Sequence, residues 1–186
     1  MRLDHIAYRT KNRHATYNFF REAMGYELGT EFQIEFDDGS KADCLALTPP
    51  ESRPSRTDNW VRTINLLSDG IAGFKETVTY HSPPEVFVSD GPIGSIVGDW
   101  VQQRDGVGGI HHIAYQVVDV KRAMKRWESA GYAEWLSEEP MECPGLTQVF
   151  SKPSLLTGVI YELISREGDG FCEANVKSLM ESTKGV

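Results

Sequence analysis

No stretch of this 186-residue chain is apolar for anything near the ~20 residues that a membrane helix needs. Nor do the first residues, Met1-Arg2-Leu3-Asp4, carry a signal-peptide core; they start directly in a strand pattern. Cysteine is scarce. Cys44, Cys143 and Cys172 form an odd set with no CxxC or zinc-ribbon spacing, and they read as free thiols of a cytoplasmic protein. Basic residues are outnumbered, 19 against 27 acidic, for a formal charge of −8. That balance argues against nucleic acid or an anionic membrane as partner, and leaves room for a local basic pocket that takes an anionic small molecule. The length suits one domain, or two small halves sharing a core.

What the chain does have is one short phrase written twice. Asp4-His5-Ile6-Ala7-Tyr8 returns as His111-His112-Ile113-Ala114-Tyr115. Each copy is followed by a polar break, a helix-like run and a Gly-Tyr pair, Gly25-Tyr26 and Gly131-Tyr132. A repeat of this kind marks a duplicated structural unit. It also puts a histidine at the same point of both units.

The pattern predicts a strand over 3–9 and a helix over 13–24, with Tyr17, Phe20 and Met24 on one face and Gly25 as the stop. Strands follow at 26–36 and 41–48. The stretch 51–58 reads as an exposed loop, and 60–74 as a short helix or strand. A long insertion of this kind, about 51–84, often covers a site. A strand at 85–89 closes the first unit, and 95–101 reads as a short helix or strand in a connection. The second unit has a strand at 110–117 and a helix capped by Asp119 with Val120, Ala123, Met124 and Trp127 as its buried stripe. Strands at 132–136, 147–151 and 157–165 and a final helix at 173–182 complete it. The expected organisation is a module over 1–92, a linker over 93–107 and a module with its C-terminal helix over 108–186. The fold class is α+β: two βαβββ modules forming one cupped, pseudo-twofold mixed sheet.

Strand alternation assigns the faces. His5, Ala7 and Arg9 share one side of the first strand, opposite Ile6 and Tyr8. His112, Ala114 and Gln116 share the matching side of the repeat, and His111 falls on the opposite side with Ile113 and Tyr115. In Val-Ile-Tyr-Glu-Leu-Ile, Glu162 sits with Ile160 and Ile164. A lone carboxylate in such a strand is costly to bury unless a cation compensates it. Two histidines and one carboxylate make a facial triad, which suits non-haem Fe(II) and leaves coordination positions open. A single strand histidine is ordinarily a core or surface residue, and it is the repeated pair that favours metal binding. His14 and His81 read as surface residues, and Glu138-Glu139 as a solvated loop.

With these phrases in hand, the chain resembles the vicinal oxygen chelate superfamily, which includes glyoxalase I, methylmalonyl-CoA epimerase, extradiol dioxygenases and 4-hydroxyphenylpyruvate dioxygenase. Gln148-Val149-Phe150-Ser151-Lys152-Pro153 is similar to the Gln-Ile-Phe-Thr-Lys-Pro strand of the last of these. Ser165-Arg166, Gly170-Phe171 and Asn175 are similar to the pattern before that family's C-terminal helix. The resemblance implies His5, His112 and Glu162 as metal ligands, Gln148 as a catalytic and substrate-holding residue, and Phe171 on the closing helix. Phe150, Gln116 and Arg9 join the expected substrate-binding set. Two departures stand out: the additional N-terminal domain of the full dioxygenase is not expected here, and Val176 replaces an aromatic residue after Asn175.

Two activities compete. One is an Fe(II)- and O2-dependent dioxygenase acting on a 2-oxo acid. The other is a glyoxalase- or epimerase-like lyase or isomerase that uses Co, Mn, Ni or Zn as a Lewis acid. The resemblance implies a fourth protein ligand for the second, from the last strand of the first module. The best register puts Phe87 there, with Glu85 two residues away as a candidate ligand or base. A non-catalytic binding module is the third reading, which the intact His/His/Glu set counts against. Homodimers are common in the superfamily.

Overall fold

The computed structural model describes residues 1–50, 61–65, 75–79, 84–167 and 171–185, the two short inner stretches as backbone alone. In chain order the elements are β1 (Arg2–Thr10), α1 (Arg13–Met24), β2 (Glu27–Glu35), β3 (Lys41–Thr48), β4 (Val61–Asn65), β5 (Lys75–Thr79), β6 (Glu85–Asp90), α2 (Ile96–Gln102), β7 (Gly108–Gln116), α3 (Val120–Ser129), β8 (Met141–Cys143), β9 (Leu146–Phe150), β10 (Ile160–Arg166) and α4 (Glu173–Ser182). β4 and β5 form a separate antiparallel pair inside the expected insertion. The rest of that insertion before Pro84, His81 included, lies outside the described residues.

The other strands make one sheet in the order β2-β3-β6-β1-β7-β10-β9-β8. Each half repeats one rule: the first strand lies parallel to the last, and the last is antiparallel to the third. The halves meet through antiparallel β1 and β7, so the two modules pair within one chain. That seam is tight at Gly108. Its φ is +87°, and a Cβ there would stand 2.0 Å from the carbonyl oxygen of Arg9, so glycine is required.

The helices form where caps and apolar stripes coincide. The Asn12 side chain accepts from the amide of Ala15 at the start of α1, and Gly25 ends it with φ 77°. Asp119 caps α3 in the same way through the amide of Arg122. α1 lays Phe20 against Tyr8, Leu45, Leu47, Val86 and Val88 on one face of the sheet. α3 lays Ala123 and Met124 against Val149 and Leu163 on the same side in the second half. The opposite face, which carries His5 and Ala7, is covered by α2 and α4. α4 reaches from β2 at one edge to β8 and β9 at the other, with Val176, Leu179 and Met180 buried.

Three expectations are corrected. Residues 132–136 form no strand; Trp135 makes one isolated bridge to Ser151. The outer edge of β9 is shared by two short pieces separated at Pro140, and the paired strand of the module is β8. Met24 is 48% exposed, because it lies on the last turn of α1 beyond the packed core. Cys143 and Cys172 are not free thiols but a disulfide, which ties β8 to the start of α4. Cys44 alone is free; it is buried, and burial pushes its thiol pKa up.

Candidate metal centre

Three strands bring the triad together. His5 comes from β1, His112 from β7 and Glu162 from β10, all buried. His5 Nε2 and His112 Nε2 are 3.2 Å apart. Glu162 Oε2 lies 3.3 Å from the first and 3.1 Å from the second. Donors ~2.1 Å from one ion stand about 3.0 Å apart at right angles and about 3.4 Å apart in a tetrahedron. One divalent ion can therefore reach all three.

The other ring nitrogens are already engaged. His5 Nδ1 is 2.8 Å from Asp4 Oδ1, so Nδ1–H faces the carboxylate and Nε2 faces the triad. Asp4 is held in turn by Arg166, whose guanidinium also donates to Glu85 at 2.8 Å. His112 Nδ1 is 2.9 Å from His111 Nδ1. If His112 presents Nε2 to an ion, its Nδ1–H donates to His111.

His111 therefore belongs to the site, whereas plain alternation puts it on the far face. Ala7 pairs with His112 and Tyr8 with Ile110, so His111 is an extra residue in β7. Such a bulge re-aims a side chain. A matching bulge in β1 buries both Asp4 and His5 between the pairs Leu3–Tyr115 and Ile6–Ile113. The doubled polar residue before each Ile-Ala-Tyr was the one available signal.

The electrostatics follow from burial. Desolvation opposes charge on Glu162, yet His5 and His112 outweigh it and hold the carboxyl pKa at about 2. Desolvation likewise pushes His5 down, but Glu162 and Asp4 lift it to about 9. His112 goes the other way: burial dominates and lowers it despite Glu162. Burial, then Arg9, His112 and Arg104, push His111 well below its usual value.

A pocket opens from the triad and is lined by Arg9, Phe87, His111, Gln148, Phe150 and Phe171 among others. Of the expected substrate residues, Gln148, Phe150, Phe171 and Arg9 are therefore at the pocket. The Phe171 ring meets His5 edge-on at 5.1 Å, and Val176 lines the wall from α4. Gln116 is not there; it accepts a hydrogen bond from Arg2 at 2.7 Å, away from the pocket. Glu85 is also outside, paired with Arg166. The register explains why. Ala7 pairs with Phe87 as Ala114 pairs with Glu162, so Phe87 holds in the first module the position of Glu162 in the second. Among the described residues lining the pocket, Glu162 is the one carboxylate.

Paired βαβββ modules around a buried two-histidine, one-carboxylate pocket define the vicinal oxygen chelate architecture. The chain belongs to the Glyoxalase/Bleomycin resistance protein/Dioxygenase superfamily, whose family model matches residues 2–154. A search of the curated proteins finds no match. Among solved structures, a methylmalonyl-CoA epimerase is 18% identical with a TM-score of 0.60, covering 90% of this chain and 97% of its own. A methylmalonyl-CoA epimerase in complex with methylmalonyl-CoA and NH4+ is 23% identical, with a TM-score of 0.57 and coverage of 90% and 96%. A mutant of 4-hydroxymandelate synthase from Streptomyces coelicolor is 16% identical with a TM-score of 0.69. The match covers 98% of this chain, which spans 54% of that one. At these identities the likeness is one of fold.

Proposed function

We propose that this protein is an Fe(II)- and O2-dependent dioxygenase acting on a 2-oxo acid, with His5, His112 and Glu162 as the metal ligands. One observation carries the reading: among the described residues the pocket offers three protein donors and no second carboxylate, because Phe87 occupies the place where a fourth ligand would stand. When bound, Fe(II) supplies open coordination positions for a chelating 2-oxo acid and for O2, and the electrons for oxidation.

The chain's own residues do the rest. Asp4 and His111 hold the two imidazoles with Nε2 facing inward. Glu162 stays ionised at any working pH. Gln148 is 1% exposed and its Nε2 has no partner among the described residues, which leaves an amide donor for the substrate. Phe87, Phe150 and Phe171 line the remaining wall and keep water away from the reacting atoms.

A second reading is supported by the likeness to the epimerases over 90% of the chain. There a divalent ion acts as Lewis acid while a protein base moves a proton. It needs a base, and Glu85 is held by Arg166 instead. The test loads the protein with Fe(II) under argon and measures O2 uptake and CO2 release with a panel of 2-oxo acids. In parallel, deuterium exchange into acyl-CoA thioesters and hemithioacetals is followed without O2. O2 uptake coupled to CO2 release is the expected result. Exchange without O2 selects the second reading. Neither activity, with no metal retained, leaves a binding module.

A further inference from the structure

The pocket holds more hydrogen-bond donors than its own residues satisfy. Arg9 is 2% exposed, with one guanidinium nitrogen donating to Thr183 Oγ1 at 2.9 Å and a buried Nη1 that finds no acceptor among the described residues. Its guanidinium carbon is 5.7 Å from the Trp100 ring. His111 packs on the same ring, with centroids 5.5 Å apart, and its buried Nε2 likewise has no partner among the described residues. When His112 presents Nε2 to an ion, its Nδ1–H donates to His111 Nδ1, and the hydrogen of the His111 ring is then on Nε2. Both orphaned atoms are therefore donors.

A buried guanidinium keeps its charge, and an unpaired buried charge is strongly unfavourable. No carboxylate forms an ion pair with Arg9 among the described residues, and the nearby Cys44 thiol is neutral. The missing partner is an anion. Arg9 is four residues along β1 from His5 and lines the pocket beside the triad, so the anion is separate from a head held at the triad itself. It belongs at the other end of the molecule that the triad holds.

Resting on the proposed 2-oxo acid activity, we infer that the substrate carries a second carboxylate at its tail, received by Arg9 Nη1 and His111 Nε2, so that the protein takes 2-oxo dicarboxylic acids. Charge supports this. A divalent ion with Glu162 leaves one positive charge at the triad, and Arg9 adds another at the far end. A dianion neutralises both.

The test measures binding rather than turnover. Fe(II)-loaded protein under argon is titrated calorimetrically with 2-oxoglutarate and 2-oxoadipate. Their monoacid counterparts, 2-oxopentanoate and 2-oxohexanoate, replace the tail carboxylate with methyl. One diacid should bind at least about tenfold tighter than its counterpart, the factor expected of one charge-assisted hydrogen bond. Arg9→Met should remove that preference and Arg9→Lys should keep part of it. Equal affinity of diacids and monoacids would overturn the inference while leaving the dioxygenase reading standing. If no 2-oxo acid of either kind binds, that reading fails, and the anion site is then judged alone. Metal-free protein is heated with and without adipate: stabilisation that disappears in Arg9→Met supports the site, and no stabilisation overturns it.

Discussion

The two modules place the same backbone at the same points and put different chemistry on it. Each supplies one histidine from its first strand, and each holds that ring at Nδ1 by the residue just before it. In the first module the holder is the carboxylate of Asp4; in the second it is the imidazole of His111. In the last strands the contrast is sharper. Phe87 and Glu162 occupy equivalent positions, and one is a phenyl ring where the other is a carboxylate. Duplication thus yields a symmetric cradle for four donors, and one aromatic residue turns it into an asymmetric site with three. The side of the triad without a protein donor faces Phe87, Phe171 and α4.

The largest effect is expected from removing a donor of the second module. His112→Ala or Glu162→Ala should lower metal affinity by well over the ~100-fold at which changes around the ligands level out. Metal content after dialysis, with circular dichroism to check the fold, reads this directly. Full occupancy in both variants would show that no ion is held at the triad. Restoring symmetry is the next largest change. Phe87→Glu should add a fourth donor, retain metal more tightly and cut O2 uptake by more than about tenfold, because a coordination position is filled. Without metal the new carboxylate is buried and unpaired, at a cost of several kcal/mol. The thermal shift on adding metal should therefore be wider than in the parent. An unchanged rate of O2 uptake would mean that the vacancy beside Phe87 does not matter.

The comparison also shows why parts of the molecule were legible from sequence and others were not. The triad could be read because a phrase occurs twice and because Glu162 sits alone in an apolar strand. α1, α3 and α4 could be read because Gly25, Asp119 and the apolar stripes signal local structure. Alternation sends His111 to the far face because it assumes an unbroken pleat, and the extra residue is visible only against the partner strand. The Cys143–Cys172 pair spans 29 residues and forms where β8 meets the start of α4, a proximity that no spacing rule supplies. The 132–136 segment has a strand's composition but too little free edge on β9 to pair with. Long-range pairing decided each of these.

Changing the holders should have a smaller effect than changing the ligands, and an unequal one. Asp4→Asn leaves a hydrogen-bond acceptor but removes the charge that makes His5 a better donor. His111→Gln leaves a neutral acceptor in place of a neutral acceptor. Metal affinity should fall about 10- to 100-fold for Asp4→Asn and less than that for His111→Gln. Competition with a chelating dye measures both. Equal losses would mean that the carboxylate and the imidazole are interchangeable, and that the modules differ only in their last strands.

The smallest effect is a pH dependence that belongs to one module alone. In the metal-free protein His5 is raised from 6.5 to about 9, chiefly because Glu162 and Asp4 outweigh its burial. A raised histidine stabilises the fold fully below pH 6.5, and that contribution is lost as pH climbs through about 9. An ion needs the bare Nε2, so at neutral pH binding must expel the proton of His5. His112 is lowered and already neutral there, so it releases nothing. Metal affinity should therefore rise roughly tenfold per pH unit between 7 and the His5 value near 9, with about one proton released per ion, and then level off. Calorimetry in buffers of different ionisation enthalpy counts that proton. Asp4→Asn should move the plateau to lower pH by weakening the hold on His5, whereas His111→Gln should leave it in place. Release of two protons, or a plateau that moves with His111 instead, would assign the titration to the wrong histidine.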